Sequence, residues 1–211
     1  MMRILMIAVL LAWLAALPAQ ADPLRDLVLA AQLDDASGID KLLRRGVSPN
    51  AIDPVTGESV LLLALREGSQ RAIDRLLAAP DLQTELAAPN GNTALMMAAF
   101  KRNRRAVETL LARGAQVNRA GWSPLHYAAA AGDADIARLL LEHGARIDAL
   151  APGDLTPLML AAREGQDEAV TTLLRAGADV SLRSGEGLNA AQIAVRADKR
   201  RIATLIEGAR K

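Results

Sequence analysis

Two histidines are the residues in this sequence best suited to chemistry at neutral pH, since imidazole can bind a metal or move a proton. His126 and His143 are 17 positions apart, and the chain contains no cysteine. Their spacing matches neither the His-Glu-x-x-His zinc motif nor the Cys–His pairing that activates a nucleophile. The sequence therefore predicts no metal site and no histidine-assisted nucleophile.

Carboxylate pairs are the other groups that could act chemically. Asp133 and Asp135 precede one apolar run, and Asp167 and Glu168 precede another. Acidic side chains are favourable at the N-terminus of a helix, where the helix dipole carries its partial positive charge. The pairs are therefore explained without catalysis, and no glycine-rich phosphate-binding motif accompanies them. We expect no catalytic residue, no cofactor and no enzymatic activity.

The histidines and Asp133 lie in residues 121–148, a stretch that predicts two short helices: GWSPLHYAAAAGDADIARLLLEHGARID. Ser123 is a good N-cap, and Pro124 suits the first helical position because it has no N–H to leave unpaired. A glycine at 132 separates the two helices, and another at 144 supplies the left-handed residue that commonly ends a helix. A unit of this size cannot bury its own apolar faces, so the chain should contain copies of it.

Copies of this unit recur along almost the whole chain. Aligned on Ser123, the capping positions are residues 25, 59, 93, 123, 156 and 189, with steps of 34, 34, 30, 33 and 33 residues. This period, the helix–turn–helix content and the Ser-Pro-Leu-His signature resemble the ankyrin repeat. The resemblance implies an all-α solenoid of about six helix–turn–helix repeats with short β-hairpin loops. The predicted repeats are approximately 22–52, 53–86, 87–118, 119–148, 149–181 and 182–211.

Three departures from the repeat pattern predict local differences. The step of 30 residues indicates a shortened loop between Asn118 and Gly121. Pro80 stands where the pattern has glycine, so the second helix of repeat two should end differently from the others. Arg102 stands where three other repeats have glycine. Either this position has a positive φ angle and Arg102 is modestly strained, or the turn differs there.

The resemblance also implies roles for individual side chains. In ankyrin repeats the histidine of this signature is structural, which implies that His126 bonds Ser123 and nearby backbone groups. Ankyrin proteins typically bind partner proteins through a concave face made of loop tips and the exposed flanks of the first helices. Carried over to this sequence, the candidate partner-binding residues are Arg66, Asn92, Phe100, Lys101, Arg119, Trp122, Tyr127, Leu155, Arg163, Glu164 and Arg196.

Two groups of residues have alternative interpretations. Trp122 is either an anchor of a binding interface, because tryptophan is enriched at such positions, or it packs against a neighbouring hairpin. The basic run of Lys101, Arg102, Arg104 and Arg105 is either a docking patch for an acidic partner or a solvated loop between two helices. Charge runs are more commonly solvated surfaces.

The first 21 residues lie outside the repeats. Arg3 precedes an apolar run from Ile4 to Leu17, and an Ala-Gln-Ala sequence at 19–21 matches the small-residue cleavage pattern of a signal peptide. This run is shorter than the ~20 apolar residues that cross a bilayer. We expect residues 1–21 to be a signal peptide whose removal leaves residues 22–211 in the periplasm. The alternatives are a secreted protein or one anchored by an uncleaved leader.

Charge and composition narrow the class of partner. The chain has 25 basic and 24 acidic residues, and loss of the leader would remove Arg3 alone and balance them. A neutral balance gives no reason to expect nucleic acid or membrane insertion after cleavage. We expect a monomer that binds another protein of the cell envelope, in an inhibitory, immunity, stabilising or assembly role. The alternative is a glycan or small-ligand binder that uses Trp122, Phe100 and Tyr127.

Overall fold

The structure is a computed structural model that describes residues 22–209. The predicted leader therefore lies outside the described residues. Residues 22–209 form twelve α-helices in six successive pairs, and each pair consists of two short helices joined by a tight turn. The helices are α1 (Pro23–Gln32), α2 (Ala36–Arg44), α3 (Val60–Glu67), α4 (Gln70–Leu77), α5 (Ala94–Phe100), α6 (Arg104–Ala112), α7 (Pro124–Ala131), α8 (Ala134–Glu142), α9 (Pro157–Glu164), α10 (Asp167–Arg175), α11 (Ala190–Arg196) and α12 (Arg200–Gly208).

The helices form two layers, as an all-α solenoid requires. The first helices of the pairs pack on one another in chain order, from α1 to α11, and make the inner layer. The second helices, α2 to α12, form the outer layer and cover one side of it. Small side chains let the inner helices approach closely, and Ala98, Ala129 and Ala162 are completely buried there. The predicted helical solenoid is therefore confirmed.

Capping side chains decide where the first helices begin. Thr156 precedes α9, and its hydroxyl accepts a hydrogen bond from the backbone N–H of Met159 at 3.2 Å. Asn189 precedes α11, and its side-chain oxygen accepts from the N–H of Gln192 at 2.9 Å. Each bond pairs one of the donors that the first turn of a helix leaves free. The capping positions found in the sequence thus set the start of the inner helices.

The turn inside each pair requires a left-handed residue. Gly68, Gly132 and Gly165 occupy it with φ angles of 77°, 77° and 83°. Arg102 takes the same conformation in the third pair, with φ of 57°. The first of the two alternatives for Arg102 is therefore the correct one. A left-handed conformation of a residue with a Cβ atom costs about 1–2 kcal/mol, which the packing of α5 and α6 must offset.

The loops between pairs contain less β-structure than the repeat pattern implies. Within residues 22–209 they hold two isolated antiparallel bridges, Ile52 with Ser59 and Ala151 with Leu155, and no strand. Backbone bonds close four of the five loop tips, such as the one from Ala88 N to Asn92 O at 2.9 Å, but they do not extend into a strand. The prediction of β-hairpin loops was wrong in this respect, because the loop arms are too short for a ladder of successive bonds.

The shortened loop lies where the repeat spacing placed it. Eleven residues, 113–123, connect α6 to α7, whereas the other connections between pairs have 14 to 16. The inner helices α5 and α7 remain closely packed, but the outer helices α6 and α8 lack the close packing of the other outer neighbours described. The short connection therefore changes the stacking between the third and fourth pairs, and it ends at Ser123, the capping residue of α7.

The second helix of pair two ends differently, as Pro80 predicts. In pairs one, three, four and five the N–H of the third residue after the helix donates to a carbonyl of the last turn, as from Ala145 to Leu140 at 2.9 Å. A glycine with positive φ precedes that N–H, and proline cannot adopt this conformation. Instead Arg113, from the next pair, donates to four carbonyls of this segment. They belong to Leu77, Ala79, Pro80 and Leu82, at 3.0 to 3.4 Å.

No helix in residues 22–209 combines the length and the apolar character that crossing a bilayer requires.

Candidate functional site

Three aromatic rings meet where the third and fourth pairs join. Trp122 lies edge-on to Tyr127, with ring centroids 6.2 Å apart, and edge-on to His126 at 5.6 Å. Phe100, at the end of α5, meets Tyr127 at 6.1 Å with the two ring planes nearly perpendicular. Edge-to-face pairs at these distances are favourable beyond the area that they bury. The rings therefore form one cluster across α5 and α7.

This cluster lines an open cleft of about 140 Å³, here called the aromatic cleft. Its lining residues are Phe100, Trp122, His126, Tyr127, Ala130, Leu160 and Arg163. The cleft brings together four of the predicted binding residues and adds three others. Phe100 is the most exposed of its rings, with 48% of its surface accessible, while Trp122 and Tyr127 are half-buried. The cleft is thus a partly covered apolar surface on the inner layer.

A small residue creates the cleft. Ala130 occupies a position of α7 at which the five other inner helices carry longer side chains, namely Gln32, Arg66, Phe100, Arg163 and Arg196. Its methyl group leaves space between Phe100 on one side and Arg163 on the other. The aromatic cleft therefore arises from a departure of the fourth pair from the pattern of its neighbours.

Trp122 packs on its own helix and also borders the aromatic cleft. It stands directly before the capping residue of α7, and its ring packs on Tyr127 and His126 of its own helix. It remains half-buried and borders the cleft. Packing against its own helix fixes the ring while part of it faces the cleft, which is the arrangement that a binding anchor needs.

The Tyr127 hydroxyl is held by the neighbouring pair. It donates a hydrogen bond of 2.6 Å to the side-chain oxygen of Asn92. Burial raises the pKa of Tyr127 above its usual value, so the phenol stays neutral at physiological pH. Asn92, a predicted binding residue, therefore holds the tyrosine ring in place.

His126 is structural, as its motif implies. It is completely buried, and its Nδ1 accepts a hydrogen bond from the backbone N–H of Ser123 at 3.1 Å and lies 2.8 Å from the Ser123 hydroxyl. Its Nε2 lies 3.0 Å from the carbonyl oxygen of Leu155 in the next loop. A carbonyl only accepts, so Nε2 carries the proton and the ring is neutral. Burial lowers the pKa of His126, which agrees with that assignment.

The charged candidates on the same layer are largely paired. Arg163 donates through Nε to Glu164 at 2.9 Å, and Arg119 pairs with Glu85 at 3.2 Å. Arg66 pairs with Glu58 and Glu67, and Arg196 pairs with Glu186. These partners reduce the basic character that the arginines would otherwise give to this side. Lys101 makes no ion pair with any residue in the range 22–209.

Most cations of the basic run after α5 lie next to carboxylates of the protein itself. Arg102 lies 3.7 Å from Asp133, Arg104 pairs with Glu108 on its own helix at 2.7 Å, and Arg105 reaches Asp74 of the preceding pair at 3.2 Å. The solvated-loop interpretation fits these contacts better than a docking patch for an acidic partner, since three of the four cations already have carboxylate neighbours.

The remaining predicted residues lie outside the aromatic cleft. Arg66, Arg119 and Arg196 belong to other parts of the layer, and Leu155 contributes its carbonyl to His126 rather than its side chain to the cleft. Sequence reasoning missed Ala130 and Leu160 as lining residues. Alignment of the six inner helices could have found Ala130, because it is the small residue in a column of long ones. Leu160 carried no such signal.

Within the part of the chain that the structure describes, no three histidine, aspartate or glutamate side chains are placed to hold a metal ion. The lining of the aromatic cleft is mainly apolar and includes the guanidinium of Arg163.

The comparisons with known sequences agree with the repeat pattern. The family model for ankyrin repeats (three copies) matches residues 27–120 and 116–184. The palmitoyltransferase Hip14 of Drosophila melanogaster is 38% identical over 95 residues, which is 39% of this chain. The chain spans 11 to 15% of the length of the curated relatives it matches, and those matches cover only the ankyrin region.

Solved structures show the same fold over most of the chain. The ankyrin repeat domain of Bcl-3, described as a unique member of the IkappaB protein family, is 32% identical with a TM-score of 0.70. That match covers 86% of this chain and 81% of that domain. An ankyrin repeat domain from Acinetobacter baumannii AYE is 26% identical with a TM-score of 0.73, covering 87% and 96%. The helix pairs, their caps and these matches together place the chain in the ankyrin-repeat family.

Proposed function

We propose that this protein is a non-enzymatic binding module of the cell envelope that holds a partner protein against its inner face. Ankyrin repeats generally serve as protein-interaction scaffolds rather than catalysts, which supports the general class. The observation that carries the proposal is the aromatic cleft, where large apolar side chains stay partly exposed among paired charges. Tryptophan, tyrosine and arginine are the side chains most enriched at the energetic centres of protein interfaces.

The size of the aromatic cleft favours a protein partner over a glycan or small ligand. Sites for drug-sized ligands usually enclose about 300–1,000 Å³, whereas this cleft offers about 140 Å³ and is open. The rings of Phe100 and Tyr127 stand at 88° to each other, so they do not form a flat stacking platform for a sugar. The Tyr127 hydroxyl is already committed to Asn92. Few polar groups are left to recognise a glycan.

We further propose that residues 1–21 are a cleaved signal peptide and that residues 22–211 act in the periplasm as one monomeric domain. The basic residue, the apolar run and the Ala-Gln-Ala pattern support this location. An inhibitory, immunity, stabilising or assembly role would suit such a module.

N-terminal sequencing tests this location. The sequence of protein recovered from the periplasm should begin at Asp22, and recovery of the intact chain from the cytoplasm alone would contradict the location.

A substitution that fills the aromatic cleft tests the binding function. Ala130→Arg places in α7 the side chain that three other inner helices carry at this position, so the fold should tolerate it. Gln32→Arg introduces the same residue at the matching position of α1 and serves as the control. We expect a protein crosslinked to the native chain in the envelope to be captured equally by Gln32→Arg and lost with Ala130→Arg. Capture of the same protein by all three forms would exclude the cleft as the binding site.

A further inference from the structure

We infer that the aromatic cleft accepts one large apolar side chain (leucine, isoleucine, methionine or phenylalanine) of the partner protein, and that a carboxylate next to that side chain pairs with Arg163. This inference rests on the proposed function and specifies the chemistry of the partner segment.

The volume of the cleft decides how much of the partner enters it. A volume of about 140 Å³ is close to that of a cavity of about 150 Å³ that holds one benzene molecule. One large apolar side chain, aliphatic or aromatic, therefore fits this space. The cleft suits a single apolar side chain.

The walls of the cleft determine the character of that side chain. Phe100, Tyr127, Leu160 and Ala130 supply most of its apolar lining. Two of the polar groups that line it are already bonded, since the Tyr127 hydroxyl donates to Asn92 and the His126 ring bonds Ser123 and Leu155. A polar group placed against the apolar side chains would lose its water without gaining a partner there, which is unfavourable. An apolar side chain has no such penalty.

The edge of the cleft carries the charge that selects a carboxylate. Arg163 lines the cleft and uses its Nε atom to donate to Glu164 at 2.9 Å, while its two Nη groups make no hydrogen bond to any other residue in 22–209. A guanidinium has five N–H donors, and its Nη edge matches the two oxygens of a carboxylate. Lys101 follows Phe100 directly and makes no ion pair within the described residues. Arg163, Lys101 and Glu164 together leave a net positive charge beside the cleft.

Selection of peptides tests this inference without knowledge of the natural partner. A phage-displayed library of random dodecapeptides is panned against the purified protein. We expect the enriched peptides to share Leu, Ile, Met or Phe with Asp or Glu within two positions of it. Binding of a synthetic peptide of this kind is then followed by the fluorescence of Trp122, the one tryptophan in residues 22–211. Enriched peptides that lack such an apolar residue would overturn the inference.

Variants separate the two parts of the inference. Ala130→Arg should weaken peptide binding at least tenfold, because the apolar side chain would no longer be buried in the cleft, and Gln32→Arg should leave it unchanged. Arg163→Gln should weaken it by about fivefold, the upper range for an exposed ion pair. The matched control Arg138→Gln removes an exposed, paired arginine of the outer helix α8 and should have no effect. A peptide whose acid is replaced by its amide should bind native protein and Arg163→Gln equally, as a double-mutant cycle requires.

The outcomes distinguish failure of this inference from failure of the proposed function. Loss of peptide binding with Ala130→Arg but not with Arg163→Gln would refute the carboxylate and leave the cleft as a binding site. Peptides insensitive to both variants would refute the inference, while an envelope protein still lost with Ala130→Arg would keep the function. If neither the peptides nor the envelope protein responds to Ala130→Arg, both proposals are wrong.

Discussion

At the scale of single residues, the two histidines that first suggested chemistry have different environments. His126 is enclosed by Ser123 and the Leu155 carbonyl and is kept neutral by burial. His143 is exposed at the end of α8, with Nδ1 2.9 Å from the carbonyl oxygen of Leu139. His126 therefore joins the fourth pair to the loop before the fifth and has no free nitrogen for a substrate or a metal.

The buried histidine makes stability depend on pH. Burial lowers the pKa of His126 below the 6.5 of the unfolded chain, so the unfolded state binds more protons between those two pKa values. The free energy of unfolding should therefore fall as pH drops through 6.5, and this contribution should level off below the folded pKa. The carboxyl of Asp53 titrates in a separate, more acidic range, because hydrogen bonding from Thr56 lowers its pKa below 3.8.

Urea unfolding at pH 7.5 and pH 5.5 tests this dependence. His126→Gln should lower stability at pH 7.5 by about 1–3 kcal/mol, the cost of leaving buried hydrogen-bond partners unpaired. The same variant should lose much less stability between the two pH values than the native protein. An equal loss in both proteins would show that other groups cause the acid sensitivity.

At the scale of the secondary-structure elements, Arg113 replaces a missing helix cap. Proline at position 80 prevents the left-handed turn that follows the outer helices of pairs one, three, four and five, and so removes the backbone N–H that caps those helices. The guanidinium of Arg113 reaches four carbonyls of residues 77–82 from the start of the next loop. Its Nε is buried without a partner, so the contact depends on the two Nη groups. One side chain thus joins the second and third pairs.

Replacement of Arg113 measures this contact. Arg113→Met keeps an apolar stem of similar direction and removes the donors, so we expect a loss of about 1–3 kcal/mol in the free energy of unfolding. Arg105→Met removes an exposed ion pair with Asp74 and should cost less than about 1 kcal/mol. Thermal or chemical unfolding of the two variants gives the comparison. A similar small effect in both would mean that water satisfies the carbonyls as well as Arg113 does.

At the scale of the whole molecule, the solenoid is held by contacts between neighbouring inner helices. Alanines such as Ala98, Ala129 and Ala162 are fully buried there, and stability in a repeat array depends on each interface between neighbours. Charged links add to the outer layer, as from Arg71 to Asp34 at 2.9 Å. Exposed links of this kind contribute little, so close packing of the small side chains carries the stack.

Adjacent alanines of α7 test this view. Ala129→Leu forces extra carbon atoms into a completely buried contact and should destabilise the protein by about 1–3 kcal/mol. Ala130→Leu directs the same atoms into the open aromatic cleft and should change stability by less than about 0.5 kcal/mol. Differential scanning calorimetry of both variants measures the two destabilisations. An equal destabilisation would contradict the close packing that we describe.

Local features were predictable from the sequence because their causes are local. Capping residues such as Thr156 and Asn189 act within three residues of themselves, so the starts of the inner helices follow from residue order alone. The effect of Pro80 was predictable for the same reason, since its ring fixes its own φ angle. The β-hairpin loops were not, because a ladder depends on how many residues the two loop arms can pair.

Residue order by itself thus determined the helix pairs, their caps, the shortened loop and the family of the fold. The tertiary structure alone decided that Phe100, Trp122, Tyr127, Ala130 and Leu160 line one cleft, and that Arg163 beside them has a carboxylate partner. These residues belong to three successive helix pairs. Their distances depend on how the pairs stack, and no periodicity within one repeat contains that information. The site depends on the packing between repeats, whereas the fold depends on the pattern within each one.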